Sequence, residues 1–340
     1  MFNKLYSEIK NYIKSNYIFI IIIVTIFVAF RIETGYSIYR PGGIINVNER
    51  VQINNETRSI DGSLNMAYVG MIEGRLPFYL IARVLPSWDL VRNETITFND
   101  EETMQDALRR NRLLFQESIS TATLLAYQRS DIPFEITSET HYIIYIHENA
   151  SRDFRIGDEI VRYNGVEFTT LNNLREYINQ QSIGDTIEIL IRRDNREIVI
   201  NTPIFKAENL QMIGLATATI FEIESQKSIT MDSRATESGP SGGLMLTLAI
   251  YSALINEDIT RGNRIVGTGT INPDGSIGMV GGIEYKISGA VRSGADIFLV
   301  AQRNYDLARE YTDLKDYDII LKGVSSLDEA LEFLNNLEAR

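Results

Sequence analysis

An α+β architecture carried behind one N-terminal membrane-spanning helix is the fold class this sequence predicts, and three observations predict it. Residues 17–30 form an apolar run in which Thr25 is the only clearly polar side chain, with charges on both flanks. Between residues 134 and 203, short runs of alternating hydrophobicity surround a single helical stretch. Farther on, glycine-rich turns at Gly239 to Gly243 and at Gly281-Gly282 open strongly apolar helices. A length of 340 residues favours two compact domains with accessory segments over one large core.

The apolar run comes first. Its 14 residues, at about 1.5 Å each, reach about 21 Å of a roughly 30 Å hydrocarbon layer. Extending it back through Tyr12 and Ile13, with Lys14 snorkelling and Tyr17 at the interface, gives 19 residues, enough to cross. A cleaved signal peptide is the rival, since Lys4, Lys10 and Lys14 make a basic n-region, but no A-x-A-like site follows. A buried core helix is the other alternative, and an isolated apolar stretch between charges near the terminus is poorly suited to it. Three lysines before the run face Arg31, Arg40 and Arg50 after it, so charge alone nearly ties on orientation. A short arm before a single span favours the N-terminus inside.

Composition removes several chemistries. Against 33 basic side chains stand 45 acidic ones, and a net charge of −12 repels a phosphate backbone, so no nucleic acid partner is expected. Without cysteine there is no thiol nucleophile, disulfide, iron–sulfur cluster or thiolate-held zinc. Only His141 and His147 are present, which excludes a three-histidine zinc site. The pair His147-Glu148 lacks the second histidine of H-E-x-x-H, and a Ser-His-Asp triad would have to use one of these two. No metal and no cofactor are expected.

From residue 38 to 131 short strands lead to a helix entered through Asn99 or Asp100, whose side chains can cap its first turn. Met104, Leu108, Phe115, Ile119, Ala122 and Ala126 recur at helical spacing and define a packing stripe. Strands are then expected over 142–146, 160–163, 187–191 and 198–202, with Asn164-Gly165 as a hairpin turn. The segment Phe154-Arg155-Ile156-Gly157-Asp158-Glu159-Ile160-Val161, the helix near 171–178, and Gly184 ahead of Ile187 resemble a PDZ domain. That resemblance implies a groove between a strand and a helix which receives an extended peptide as an added strand. The mouth of the groove is expected along 134–141, a stretch with no glycine and with Glu135 and Glu139.

Glu237-Ser238-Gly239-Pro240-Ser241-Gly242-Gly243-Leu244-Met245 leads into a helix with Leu244, Leu248, Tyr251 and Ile255 on one side. Ser241 sits at its start, either as an N-cap or as a nucleophile beside main-chain N–H groups that bare glycines leave open to a substrate carbonyl. Gly281-Gly282 opens a second helix, closed by Gly294, with Ile283, Ile287, Ala290 and Val291 as its buried stripe. Lys286 lies on that stripe. Burial lowers a lysine pKa and makes the neutral amine available as a base, while a snorkelling surface lysine is the plain alternative.

Together these motifs resemble the serine-lysine protease domain of the Lon family, from about residue 213 to the C-terminus. Gly239-Pro240-Ser241 with Gly243 matches the nucleophile motif, Gly267-Thr268-Gly269-Thr270-Ile271 the strand after it, and Gly281-Gly282-Ile283 with Lys286 the base-bearing helix. The resemblance implies Ser241 as nucleophile, Lys286 as general base and Thr268 as the lysine's hydrogen-bond partner. Ser238 stands where many Lon-type sequences have an acidic residue, and Gly242 where alanine is usual. No G-x-x-x-x-G-K-[ST] motif occurs, so neither nucleotide binding nor ATP-driven unfolding is expected.

In full order, with Tyr39-Arg40-Pro41-Gly42 in the intervening region, the chain resembles the membrane-anchored PDZ-containing S16 peptidases of Gram-positive bacteria. This implies a single-pass membrane protein with its catalytic body outside the cell membrane, acting on exported peptides or membrane-protein ectodomains. The implied organisation is a cytoplasmic arm and anchor (1–35), an N-terminal extracytoplasmic region (36–131), a PDZ-like domain (132–206) and a Lon-type α+β proteolytic domain (207–340). The alternatives are a tethered peptide-binding or sensing module with an inactive protease-like domain, and Ser-Lys chemistry on another amide substrate in a different fold.

Overall fold

The computed structural model describes residues 2–97, 102–207, 209–234 and 236–338. It divides the chain into two compact units, Met1–Pro41 with Gly70–Ile96, and Gly42–Val69 with Thr97–Arg340. Along the chain, helix α1 (Phe2–Ala29) precedes strands β1 (Glu33–Asn46), β2 (Val51–Ile53), β3 (Glu56–Thr57) and β4 (Ser63–Arg75), then α2 (Leu76–Ala82) and β5 (Asp89–Arg92). The boundary between the units falls inside β1 and β4.

In the first unit, Leu5–Ala29 is the one helix among the described residues long and apolar enough to cross a membrane. It leaves helical geometry at Asn16 (φ −119°, ψ 16°), where the side-chain amide donates to the Tyr12 carbonyl at 3.0 Å. The polar first turns and the apolar run therefore meet at a kink. Strand β5 pairs antiparallel with β1 from Tyr36↔Arg92 to Tyr39↔Asp89.

The second unit begins its long helix α3 (Met104–Arg129) at Thr103. Thr103 Oγ1 accepts the Asp106 N–H at 3.1 Å while the Asp106 carboxylate accepts the Thr103 N–H at 3.2 Å, a reciprocal cap that satisfies two free donors. Asn99 and Asp100, expected as caps, lie outside the described residues, and the cap found is Thr103. The buried face of α3 is also wider than the expected stripe, because Ser118, Ser120 and Thr121 are buried with Phe115, Leu125 and Ala126.

The β-rich domain follows the predicted order: β6 (Phe134–Ile146), β7 (Glu159–Tyr163), β8 (Val166–Glu167), α4 (Leu171–Asn179), β9 (Thr186–Arg193) and β10 (Arg196–Pro203). The Asn164-Gly165 turn between β7 and β8 has positive φ at both residues (44° and 78°), as a two-residue hairpin of this type needs. After β11 (Phe205–Ala207) and β12 (Leu210–Met212), strand β13 (Leu215–Ser225) returns to pair with β6 as the edge of a sheet ordered β10-β9-β7-β6-β13. Alternating Ile187, Ile189 and Ile191 of β9 point into a core with Phe154, Leu174 and Ile178.

Strand β14 (Ile229–Met231) and helix α5 (Gly243–Ile255) open the last part of the chain. Strands β15 (Arg264–Thr268), β16 (Thr270–Ile271) and β17 (Ile277–Gly278) follow, then α6 (Ile283–Arg292), β18 (Ile297–Ala301), α7 (Tyr305–Lys315), β19 (Ile320–Val324) and α8 (Leu327–Asn335). β15 pairs parallel with β18 on one side and with β4 on the other, where Gly267 stands opposite Met66. Inward residues alternate between two faces of this sheet. Ile265 and Leu299 pack with α5, α3 and α8, while Val266 and Phe298 pack with α6 and α7. Helix α5 is not one-sided as expected. It is buried nearly all round, since Met245, Leu246, Ala249 and Ile250 are as inaccessible as Leu244 and Leu248, because α3 covers the side that the sheet does not.

Candidate active site

Ser241 lies in a single 3-10 turn, Pro240–Gly242, immediately before α5. Gly239 enters that turn with φ 85°, a conformation glycine adopts at little cost and residues with a Cβ rarely adopt. The turn is tied on two sides. The Gly239 N–H donates to the Asn111 carbonyl of α3 at 2.8 Å, and the Ser118 hydroxyl of α3 donates to the Pro240 carbonyl at 3.3 Å. From the strand side, the Gly269 N–H donates to the Ser241 carbonyl at 2.9 Å and the Leu244 N–H to the Gly269 carbonyl at 3.1 Å.

Lys286 is 3% exposed, one turn into α6 on the face carrying Ile283 and Ile287. Its Nζ donates to Thr268 Oγ1 at 3.0 Å, and that hydroxyl donates to the Ser241 carbonyl at 3.0 Å. The structure thus brings Lys286, Thr268 and Ser241 together, with the link running through Thr268 to the serine's main chain. Burial pushes the ammonium down from 10.5 to about 8. The neutral fraction, negligible for an ordinary lysine at neutral pH, becomes about a tenth at pH 7 and grows as pH rises through 8, and a neutral amine beside a hydroxyl can take its proton.

The loop leading into α6 is held from behind. Asn304 Oδ1 accepts the Val280 N–H at 2.8 Å and its Nδ2 donates to the Val280 carbonyl at 3.1 Å, fixing the residue ahead of Gly281-Gly282. Sequence reasoning missed Asn304, Asn111 and Ser118, which lie far along the chain from the residues they hold and carry no motif of their own. Glu237, beside Ser238, forms an ion pair with Arg50 and accepts the Arg234 N–H at 3.1 Å, so it anchors the approach to the turn.

Gly243 differs in purpose from the expected one. The N–H groups of Gly243 and Leu244 are already taken by the carbonyls of Pro240 and Gly269, so they are not offered to a substrate. A Cβ on Gly243 would stand 2.7 Å from Ile271 Cγ2, 2.8 Å from Ser118 Oγ and 2.9 Å from the Ile271 nitrogen. Gly243 is therefore required by packing against backbone. A Cβ on Gly242 would meet chiefly Met66 Sδ at 2.9 Å, the movable end of a flexible side chain. Gly243→Ala should accordingly lower the unfolding free energy in urea by about 1–3 kcal/mol, and Gly242→Ala by clearly less. Equal effects of the two would contradict this packing.

A groove of about 450 Å³ lies in the β-rich domain between α4, through Leu174, Arg175 and Ile178, and the start of β13, through Leu215 and Thr217. Residues 210–214 line it, and 134–141, where its mouth was expected, do not. The reason is topological: β13 covers that stretch of β6, pairing Thr219 with His141 and Ser225 with Phe134. Farther along, the outer edge of β13 is closed by α3, where Glu117 accepts the Thr219 N–H at 2.8 Å and Ser120 Oγ the Phe221 N–H at 2.6 Å. Burial pushes the Glu117 carboxyl up despite that donor.

Residues 132–204 match the family model of the PDZ domain, and residues 221–336 that of the Lon protease (S16) C-terminal proteolytic domain. Among solved structures, the chain is similar to the PDZ domain of the SdrC-like protein of Listeria monocytogenes, at 17% identity over 24% of this chain and 92% of that one, with a TM-score of 0.23. It is also similar to the PDZ domain of the SdrC-like protein of Listeria innocua, at 20% identity over 23% and 92%, with a TM-score of 0.22.

Proposed function

The chain carries a PDZ domain and a Lon-type S16 proteolytic domain, and from that premise we propose that it is a membrane-anchored serine endopeptidase working without ATP through a Ser241–Lys286 dyad. The observation that carries the reading is the buried Lys286 amine, lowered to about 8 and hydrogen-bonded to Thr268, which is in turn bonded to Ser241.

Ser241 Oγ attacks the scissile carbonyl while neutral Lys286 takes the hydroxyl proton. The amine of the departing fragment then receives that proton from Lys286, leaving an acyl ester on Ser241. Water, deprotonated by the same lysine, cleaves the ester and restores the serine. Thr268 holds the amine in place by accepting its hydrogen bond. The main-chain N–H of Ser241 is the donor near the developing oxyanion, since Pro240 has none and those of Gly243 and Leu244 are engaged. No metal, nucleotide or cofactor takes part in this scheme.

Substrate reaches the site from the PDZ groove. An extended peptide adds to β13 along 215–217, with apolar side chains against Leu174 and Ile178. Helix α1 crosses the cell membrane once and keeps the body extracytoplasmic, so the substrates are exported peptides or membrane-protein ectodomains. The test is cleavage of an unfolded protein by the full chain in detergent without ATP. Ser241→Ala and Lys286→Ala should each lose activity, by roughly 10⁴-fold or more for the serine. A Ser241→Ala chain that cleaves as fast as the parent would overturn the reading.

A further inference from the structure

The first unit exposes a cluster of large apolar side chains outside α1. Leu80 (55% exposed), Ile81, Val84 (79%) and Leu85 (40%) follow one another on α2 and the turn after it, while Ala82 is the one buried residue of that helix. Scattered exposed hydrophobics need no explanation, but four within six residues on one short element do. The cluster is fastened to the end of the apolar helix. Arg75 Nη1 donates to the Phe30 carbonyl at 3.1 Å, the Leu76 N–H donates to the Ile32 carbonyl at 3.0 Å, and the Phe78 ring meets Phe30 edge-on at 5.6 Å.

Around these apolar groups stand amphipathic ones. The Arg83 guanidinium lies over the Tyr79 ring at 5.1 Å and donates to its hydroxyl at 2.7 Å. Arg31 lies over Phe27 at 5.2 Å, at the last turn of α1. Trp88, the chain's single tryptophan, closes the turn by donating its main-chain N–H to the Leu85 carbonyl at 3.1 Å. Arginine heads on aromatic rings beside bare aliphatic side chains are the composition of a segment that lies between water and hydrocarbon.

We propose that α2 and the following turn to Trp88 are a second membrane contact, an interfacial segment that inserts Leu80, Ile81, Val84 and Leu85 into the bilayer surface where α1 emerges. This rests on reading α1 as a membrane span. The span brings a lipid surface to Phe30, and the three contacts at Phe30 and Ile32 hold α2 at that level. A protein surface or a second copy of the chain would not need to lie there, whereas the lipid surface must. The consequence is a first unit held at the membrane by two points and unable to swivel freely about α1.

Because the chain has no cysteine, single nitroxide labels report local surroundings cleanly. The full chain, reconstituted in phosphatidylcholine–phosphatidylglycerol vesicles, is labelled in turn at Val84→Cys, at Ile22→Cys in the span, and at Leu314→Cys, a residue 75% exposed on α7. Accessibility to oxygen and to a water-soluble nickel chelate is measured by power saturation. The expected result is a Val84 label with high oxygen and low nickel accessibility, like Ile22 and unlike Leu314. A Val84 label as open to nickel as Leu314, with Ile22 immersed, overturns the interfacial segment and leaves the anchor standing. Protection of Val84 from both reagents means that protein covers the patch and also overturns it. An Ile22 label open to nickel removes the anchor, and the inference with it.

Discussion

Lys286→Met should abolish peptide cleavage and at the same time stabilise the folded chain near neutral pH. The amine is buried with a pKa of about 8 against its ordinary 10.5, so the unfolded chain binds that proton more tightly than the folded one. For a cation disfavoured by folding, the penalty is absent above the unfolded value, builds as pH falls from 10.5 to about 8, and is complete below that. At about 1.4 kcal/mol per unit it reaches up to roughly 3 kcal/mol at pH 7. Methionine has nearly the same length and carries no charge, and Thr268 keeps its own bond to the Ser241 carbonyl. Urea unfolding at a series of pH values should show the variant more stable at pH 7 and the two chains converging towards pH 10.5. A variant that still cleaves removes Lys286 as the base. The parent's rate, by the same titration, should climb as pH rises through about 8, because only the neutral amine accepts the serine's proton.

Asp158→Ala should unfold the β-rich domain ahead of the rest. Asp158 is 1% exposed, and its carboxylate receives Arg193 through Nε at 2.7 Å and Nη2 at 2.6 Å, together with the Arg155 N–H at 2.8 Å. Removing one partner of a buried pair leaves the Arg193 charge, 13% exposed, without its counter-ion, a loss of about 3–5 kcal/mol. Since this domain has its own core around Ile187, Ile189 and Ile191, calorimetry should resolve a new, lower transition. Asp158→Asn retains an acceptor for the Arg155 N–H and should lose less. An unchanged single transition in Asp158→Ala would show that the pair contributes little to holding this domain.

Much of the site was legible because its signals are local. Ser241 and Lys286 stand out by glycine punctuation and by a three-residue offset from Ile283, both properties of a few consecutive residues. The Asn164-Gly165 turn and the alternation in β9 were readable for the same reason, since a positive φ and a period of two are written into the segment itself. The helix α5 was misjudged on its face. An all-apolar helix has no distinguishing stripe, and only the covering by α3 shows that every side is inside.

By itself the sequence determined an apolar helix long enough to span a bilayer, a β-rich PDZ domain, and a Lon-type domain with Ser241, Thr268 and Lys286 as its candidate site. Each depends on periodicity, turn chemistry or motif, and these reach only a few residues along the chain. Tertiary structure alone decided that β4, some two hundred residues upstream of β15, is its parallel neighbour, that β13 forms the edge of the PDZ sheet, and that Asn111 and Ser118 brace the Ser241 turn. Parallel pairing leaves no hairpin signal between its partners, and a main-chain hydrogen bond asks almost nothing of the residue that accepts it. Those placements follow from how the whole chain buries its apolar surface, so no window of sequence contains them.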